Sequence, residues 1–419
     1  MTNTIPDVSI NIEIRPRTPI IVGVDTHADT HHVALINEYG KRLSDKKFVA
    51  TEEGYRDIVD YITAAGSATA IGVEGTGSYG AGLARHLTLA GFRVVEVNRP
   101  NRAERRPHGK SDSLDAYQAA QSTLAHRGTS TPKSRDGYVE ALRVLRTARN
   151  SAVKAHSVTQ VQIRSVLVTA PSTLREKYRG HALSAHIIAM AATRPSGPAA
   201  DPVTATALTL RRLARRHVFL SEEIAACNAE LAAIIQAFAP QLTQISGVGT
   251  AIASQLLITV GDNPERITNE AQFAALVGVA PIPASSGKTT RHRLSRGGGR
   301  AANSAIYHVA LVRMATNQRT KEYVTKRTLE GKSKRDILRC LKRYIARELY
   351  HALLNPQPLL QTEDLALRRI AHGLTQRDVA QQLGVWNSAI FRIEKGRSSN
   401  RELIHNYRQW IDRQSQIQS

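Results

Sequence analysis

The sequence predicts a chain of four parts. These are an α/β N-terminal domain over 19–130, an α-helical spacer with coiled-coil spacing over 136–238, a mainly α second domain over 239–352, and a small all-α module over 362–419. Three observations predict this. Near the N-terminus, short apolar runs that end in a carboxylate alternate with a helix-like segment. The middle places apolar residues every three or four positions. Proline-rich interruptions at 195–202 and 354–361 mark where that spacing stops. A chain of 419 residues is also too long for one ordinary core.

The charge balance bounds the partners. Lys and Arg number 57 against 35 Asp and Glu, a net +22 spread along the whole chain, and such a field draws in polyanions, nucleic acid above all. A membrane-surface binder fits poorly, because no long basic amphipathic helix carries exposed aromatics. The two cysteines, Cys227 and Cys340, lie far apart in helix-like sequence and read as small apolar residues rather than a disulfide or zinc framework. Without an apolar run of about 18 residues or a signal-peptide core, the expectation is a soluble cytoplasmic protein with no membrane partner.

In the first part, PIIVGVDTHADTHHVALINEYGKRL (19–43) reads as strand, turn, strand, with Asp25 closing the first run. A second buried strand, TAIGVEG (69–75), ends in the same way with Glu74. A third, FRVVEVN (92–98), follows a helix over 79–91, and strand–helix–strand with short loops implies a parallel pair. Then GKSDSLDAYQAAQ (109–121) sets Asp112 and Asp115 three apart on one face of a starting helix. Each acid alone reads as a cap or turn residue. Together, on a basic protein, they read as ligands for a divalent cation that keeps positions for phosphate oxygen and water. Beside them, Arg99, Arg102, Arg105, Arg106 and Lys110 form a loop suited to a nucleic-acid backbone.

The order GVD, GVEGTGSYG, basic loop and KSDSLDA resembles the RuvC-like DEDD domain of a family of insertion-sequence transposases, the bridge-RNA-guided serine recombinases. The resemblance implies an RNase H-like fold with Asp25, Glu74, Asp112 and Asp115 as catalytic ligands of Mg²⁺ or Mn²⁺. Junction-resolving nucleases share that fold, so the acids alone leave resolvase and transposase open.

From 136 to 170, Leu142, Leu145, Ala148, Ala152 and Ala155 recur at helical spacing. After the break at 195–202, Leu213, Leu220, Ile224, Cys227, Leu231, Ile234 and Phe238 fit heptad a/d positions, with His217 as the exception. The family resemblance implies a coiled coil here, between two catalytic domains, with a role in subunit assembly.

The second domain opens with LTQISGVGTAIASQLLITVG (242–261), a helix–hairpin–helix pattern in which amides at Gly247 and Gly249 can meet a phosphate. The apolar stretch 271–283 leads into PIPASSGKTTRHRLSRGGGR (281–300). There Ser285 and Ser286 precede Gly287 among Lys288, Arg291, Arg293, Arg296 and Arg300, with no carboxylate. From the residues alone, a phosphate-gripping loop and a serine nucleophile are both open; arginines or a metal would stabilise charge on the attacked phosphate. The resemblance extends to 316 and implies attack by the serine just before the glycine, forming a phosphoserine link. That serine is Ser286, with Ser285 as the alternative. The triple glycine 297–299 departs from the family's usual glycine-plus-polar step and implies a looser loop.

The segment LRRIAHGLTQRDVAQQLGVWNSAIFRIEKGRSSN (367–400) supplies Leu367, Ile370, Leu374, Val379, Leu383, Val385, Ile390 and Ile393 as the core of a small helical bundle. It resembles the helix–turn–helix of Cro and phage repressors. Its recognition helix would start near Trp386, with Gln376, Asn387, Ser388 and Arg392 as DNA contacts. The whole reads as a transposase that cleaves and rejoins DNA at a mobile element's ends. On resemblance alone it would be guided by an element-encoded RNA and assembled as a dimer or tetramer. The alternatives are a metal-dependent junction nuclease and a non-enzymatic helix–turn–helix regulator.

Overall fold

The computed structural model describes residues 18–98, 111–180, 183–285, 287, 292–294, 297–354, 362–396 and 400–417. The chain divides after Arg135 into two compact units.

The first unit is built on a six-stranded mixed sheet of order β3-β2-β1-β4-β5-β6. The strands are β1 (Pro19–Thr26), β2 (Thr30–Asn37), β3 (Arg42–Val49), β4 (Ser67–Glu74), β5 (Val94–Val97) and β6 (Thr129–Ser130). β1, β4 and β5 run parallel, as the strand–helix–strand pattern requires, while β2, β3 and β6 are antiparallel to their neighbours. Helices α1 (Glu52–Ala65) and α2 (Ala81–Leu89) bury Ile58, Ile62, Leu83 and Leu87 against Ile20, Val22, Val24, Leu35 and Ile71 on one face. Helix α3 (Asp112–Leu124) covers the other face with Ala116, Tyr117 and Ala120 over Ile21, Ala34 and Ile36. Because β1 is covered on both faces, it reads as an unbroken apolar run rather than an alternation. β3 and α1 have no counterpart in the sequence reading. All of β3 except Phe48 is exposed, so its sequence carries no apolar period.

The second unit begins with two long helices, α4 (Tyr138–Val168) and α7 (Pro202–Phe238), with short helices α5 (Ser172–Lys177) and α6 (Leu183–Ala192) between them. The long helices are antiparallel. Tyr138 stacks on Phe238 at 4.5 Å, Arg149 donates to Asn228 at 2.6 Å, and the His156 and His217 rings lie 3.8 Å apart. The inward face of α7 carries Leu210, Ala214, His217, Leu220, Cys227, Leu231 and Ile235. The expected seam is thus shifted at both ends: Ala214 is buried where Leu213 was expected, and Ile235 where Ile234 and Phe238 were. His217 fills a seam position instead of interrupting it.

Next come α8 (Gln241–Gln244), α9 (Thr250–Val260) and α10 (Glu270–Leu276), followed by a two-stranded ribbon of β7 (Pro281–Pro283) and β8 (His292–Leu294). Helices α11 (Arg300–Thr316), α12 (Gln318–Leu329) and α13 (Lys334–Leu354) complete this part. One core joins Leu142 and Leu231 of the long helices to Leu257, Phe273, Ile306 and Ile345.

The C-terminal bundle consists of α14 (Glu363–Ala371), α15 (Gln376–Gln382), α16 (Asn387–Glu394) and α17 (Arg401–Ile417). Val379, Ile390 and Ile393 are buried as expected, and Leu374, Leu383 and Val385 pack at the margin. Leu367 and Ile370 are not core: they are 71% and 61% exposed. The inward face of α14 is set instead by Leu365 and Arg369, four residues apart, and α17 supplies Ile404, Tyr407 and Ile411. Thr375 caps α15 in a reciprocal box with Asp378.

Candidate active site and nucleic-acid interface

The acids sit where the sheet and α3 meet. β1 and β4 pair in parallel with Val24 opposite Val73, so Asp25 and Glu74 are the next positions along two neighbouring strands. Side chains alternate along a strand, so Gly23 shares its face with Asp25, and Gly72 with Glu74. That face is the one α3 covers. A Cβ on Gly23 would stand 2.2 Å from the Ala116 carbonyl, and one on Gly72 would stand 1.9 Å from Thr123 Oγ1. The two glycines let the helix lie against the strands and bring its first turn to Asp25. Ser111 caps α3 by accepting from the Leu114 amide, which leaves Asp112 and Asp115 in the first turn, where a helix favours negative charge.

Asp25, Asp112 and His27 converge: one donor atom from each lies within 4.8 Å of the others. Asp25 and Asp115 are 7% and 4% exposed, and Glu74 and Asp112 are half-buried. Glu74 and Asp115 share the strand edge and the helix turn but do not join the 4.8 Å group among the described residues. Like charges resist crowding onto one point. The donor set of carboxylates plus one imidazole fits a divalent cation, and Asp25, His27 and Asp112 are placed to hold it. Sequence reasoning passed over His27; its only signal was the D-x-H spacing at the end of β1.

A second layer fixes α3. Asp45 on β3 accepts from Ser113 Oγ and Tyr117 OH at 3.0 Å each, and His32 Nε2 lies 2.6 Å from it. The His32 contact, helped by the two hydroxyl bonds, holds the Asp45 carboxyl below the usual carboxylate range. Burial, then the bond to Asp45, pushes the Tyr117 phenol up to about 12, so it stays a donor. Lys47 Nζ stands 3.5 Å from Asp112 Oδ2. Arg99, Arg102, Arg105, Arg106 and Lys110 lie outside the described residues.

In the second unit, Ser286, Lys288, Arg291 and Arg296 likewise lie outside the described residues, whereas Ser285, Gly287, Arg293 and Arg300 are exposed at the β7–β8 ribbon and the start of α11. The base of that ribbon is not the loose loop its glycines imply. A Cβ on Gly298 would stand 2.2 Å from the Gly278 nitrogen, and the Gly299 amide bonds to the Leu276 carbonyl at 2.8 Å. Asn303 of α11 donates to the Gly278 carbonyl at 2.6 Å and accepts from Lys342 of α13 at 2.5 Å. Glycine serves here for close backbone approach, not freedom. Alongside lies a cleft of about 670 Å³ lined by Arg293, Lys332, Arg339, Arg343, Tyr344 and Arg347, with the charge and aromatic surface that suit a nucleic-acid strand.

Gly247 adopts φ +84° against Val309, and Gly249 caps α9 with open space around it. Arg313 holds their turn by donating to the Ser246 carbonyl at 2.8 Å. In the C-terminal bundle, Asn387, Ser388 and Arg392 are exposed on α16, preceded by Trp386 at 86% exposure. Gln376 differs: its amide donates to Glu394 at 2.6 Å, inside the bundle.

A DEDD transposase family model matches residues 22–170, and the model of the transposase IS116/IS110/IS902 family matches residues 239–325. The chain carries the two domains of an IS110-family transposase. A helix-turn-helix model matches residues 365–402 of the same chain. Over 364 residues the transposase is 25% identical to the "Insertion element IS110 uncharacterized 43.6 kDa protein" of Streptomyces coelicolor, covering 75% of this chain and 89% of that protein. It is a DNA-acting enzyme with a mixed α/β first domain, helical regions and a DNA-binding helix–turn–helix. Among the described residues no helix is long and apolar enough to cross a membrane.

Proposed function

We propose that this transposase cuts and rejoins DNA at the ends of its insertion element with two chemistries: a divalent metal held at the acid edge and a serine nucleophile in the chain segment between β7 and β8. The observation that carries this reading is the convergence of Asp25 and Asp112, from a strand end and a helix start, within 4.8 Å in a protein of net charge +22. Carboxylates gathered on a basic protein suit a cation that in turn receives phosphate oxygens. Asp25, Glu74, Asp112 and Asp115 are the metal-site residues. Mg²⁺ or Mn²⁺ would supply Lewis-acid stabilisation of the charged phosphate. Ser286, or Ser285 beside it, is the nucleophile: its hydroxyl oxygen attacks phosphorus, the hydroxyl proton leaves, and the 3′ or 5′ oxygen of the cut strand departs. Arg293 and Arg300, both exposed, follow these serines in the chain and are candidates to stabilise charge on the attacked phosphate.

In this reading residues 19–130 form the metal domain, 136–238 a coiled-coil spacer, 239–352 the serine domain with a helix–hairpin–helix at Gly247 and Gly249, and 362–419 the DNA-reading tail. Asn387, Ser388 and Arg392 meet the major groove, and Gln376 orients α16 through Glu394. An element-encoded RNA guide and a homo-oligomer follow from the family resemblance.

The test is a denaturing gel of purified protein with Mg²⁺, labelled element-end DNA and the flanking transcript. Wild type, Ser286→Ala and Asp25→Ala are run side by side. A covalent protein–DNA band in wild type alone supports the reading. Cleavage without that band, persisting in Ser286→Ala, makes the first domain a hydrolytic nuclease and the ribbon a phosphate clamp. DNA binding by the tail without any metal-dependent cleavage reduces the chain to a regulator.

A further inference from the structure

The acid edge contains one donor that no carboxylate pattern announces. We propose that His27 Nδ1 is a ligand of the divalent metal, and that its nitrogen makes this a mixed N/O site that favours Mn²⁺ over Mg²⁺. The inference rests on the metal-dependent reading above.

Geometry carries it. His27 Nδ1 stands 3.5 Å from Asp25 Oδ2. That is longer than an ordinary N–H···O bond of about 2.7–3.2 Å. Neighbouring donors of an octahedral ion with bonds of about 2.1 Å stand about 3 Å apart, so a bound ion would draw these two atoms slightly together. An Asp112 oxygen provides the third donor within the same 4.8 Å. The three come from a strand end, the turn after it and a helix start, so they approach one point from different directions. The turn is held by the His27 amide, which donates to the Thr30 carbonyl at 3.0 Å.

The neighbouring histidines are engaged elsewhere. His32 meets Asp45 at 2.6 Å, and His31 is buried against Tyr55 on the opposite face of the sheet. Within the 4.8 Å group the Asp25 and Asp112 carboxylates and the His27 imidazole supply three donors and leave coordination positions for phosphate and water. Imidazole binds later divalent metals better than it binds Mg²⁺, whose preferred donors are oxygen.

The experiment uses the full-length protein with Mn²⁺ as the probe. Pulsed EPR reads ¹⁴N coupling to the bound ion, and Mg²⁺ competition reads the metal preference. Wild type is expected to show imidazole nitrogen coupling. His27→Gln is expected to lose it and to drop the Mn²⁺/Mg²⁺ preference by about tenfold or more, with an unchanged circular-dichroism spectrum. Asp25→Asn identifies the site, because the nitrogen signal must vanish there too. Mn²⁺ binding that depends on Asp25 but shows no nitrogen coupling, with an unaltered preference in His27→Gln, overturns the inference and leaves the metal-dependent reading standing. His27 would then be only an ion-pair partner of Asp25. Absence of any Asp25-dependent Mn²⁺ binding overturns both.

Discussion

At Glu394 in the tail, Arg369 donates from Nε at 2.6 Å and from Nη2 at 3.1 Å, Gln376 donates at 2.6 Å and Tyr407 at 2.9 Å. At the edge of the first sheet, two carboxylates and an imidazole converge, and Lys47 approaches Asp112 only to 3.5 Å. Both constellations are ionic and both join distant segments. The first is complementary and closed: a buried carboxylate with matched donors, which specifies how four helices dock. The second gathers like charge at a partly open edge, an arrangement that folding alone does not favour and that a cation stabilises. The contrast separates architectural charge from chemical charge within one chain.

The largest effect that tests this contrast is expected at the closed cluster. Glu394→Gln leaves the Arg369 guanidinium, 9% exposed, without its counter-charge, and should destabilise the tail by about 3–5 kcal/mol. The chain's two tryptophans, Trp386 and Trp410, both lie in the tail, so urea unfolding followed by their fluorescence reads that module alone. The same cluster sets a pH window. Burial raises the Glu394 carboxyl, but the bonds from Arg369, Gln376 and Tyr407 outweigh it and the net shift is downward. The contribution is therefore fully present above the ordinary glutamate value of about 4.3 and is lost as pH falls through the lower folded value. Fluorescence-detected stability should hold from neutrality to about pH 5 and then fall, and Glu394→Gln should show a shallower fall, the rest coming from Asp364 and Asp378, which their bonds to Arg408 and Thr375 also hold low.

Smaller effects sharpen the other side. Gly23→Ala places a methyl 2.2 Å from the Ala116 carbonyl, so α3 must shift. We expect about 1–3 kcal/mol of destabilisation and weaker Mn²⁺ binding by calorimetry, because the shift moves Asp112 away from Asp25. Gly249→Ala, with open space and φ −97°, should stay within about 0.5 kcal/mol of wild type. Asp45→Ala removes the bonds that hold the start of α3 and should cost about 1 kcal/mol, with a measurable loss of Mn²⁺ affinity and no change in the tail's fluorescence transition. Least in energy is Arg392→Ala on the exposed face of α16. Its salt dependence of DNA binding should fall by about one unit of slope if the guanidinium meets a phosphate. A change in base preference instead would place it in the groove.

Much of the first domain was readable because burial on both faces leaves β1 and β4 as unbroken apolar runs that stop at Asp25 and Glu74. Exposed β3 left no such trace, yet it carries Asp45 and Lys47 toward α3. In the tail, the helix–turn–helix pattern placed the start of α16 near Trp386, but apolarity alone misassigned Leu367 and Ile370. Arg369 occupies the inward position because Glu394 waits there, and only a three-dimensional partner makes a buried arginine affordable. The shifted seam of α7 has a similar origin: a 3.6-residue period drifts against a strict heptad, and the packing of α4 decides which residue turns inward.

By itself the sequence determined the order of the parts, the acids at strand ends and at the start of α3, the basic field and the helix–turn–helix, because each is written in local periodicity, capping or composition. The tertiary structure alone decided which donors meet. His27 joins Asp25 and Asp112, and Gln376 turns inward to Glu394. Gly298, the middle of the triple glycine, lies against Gly278 because close approach between distant backbones depends on how helices and strands dock, and no local pattern encodes that distance.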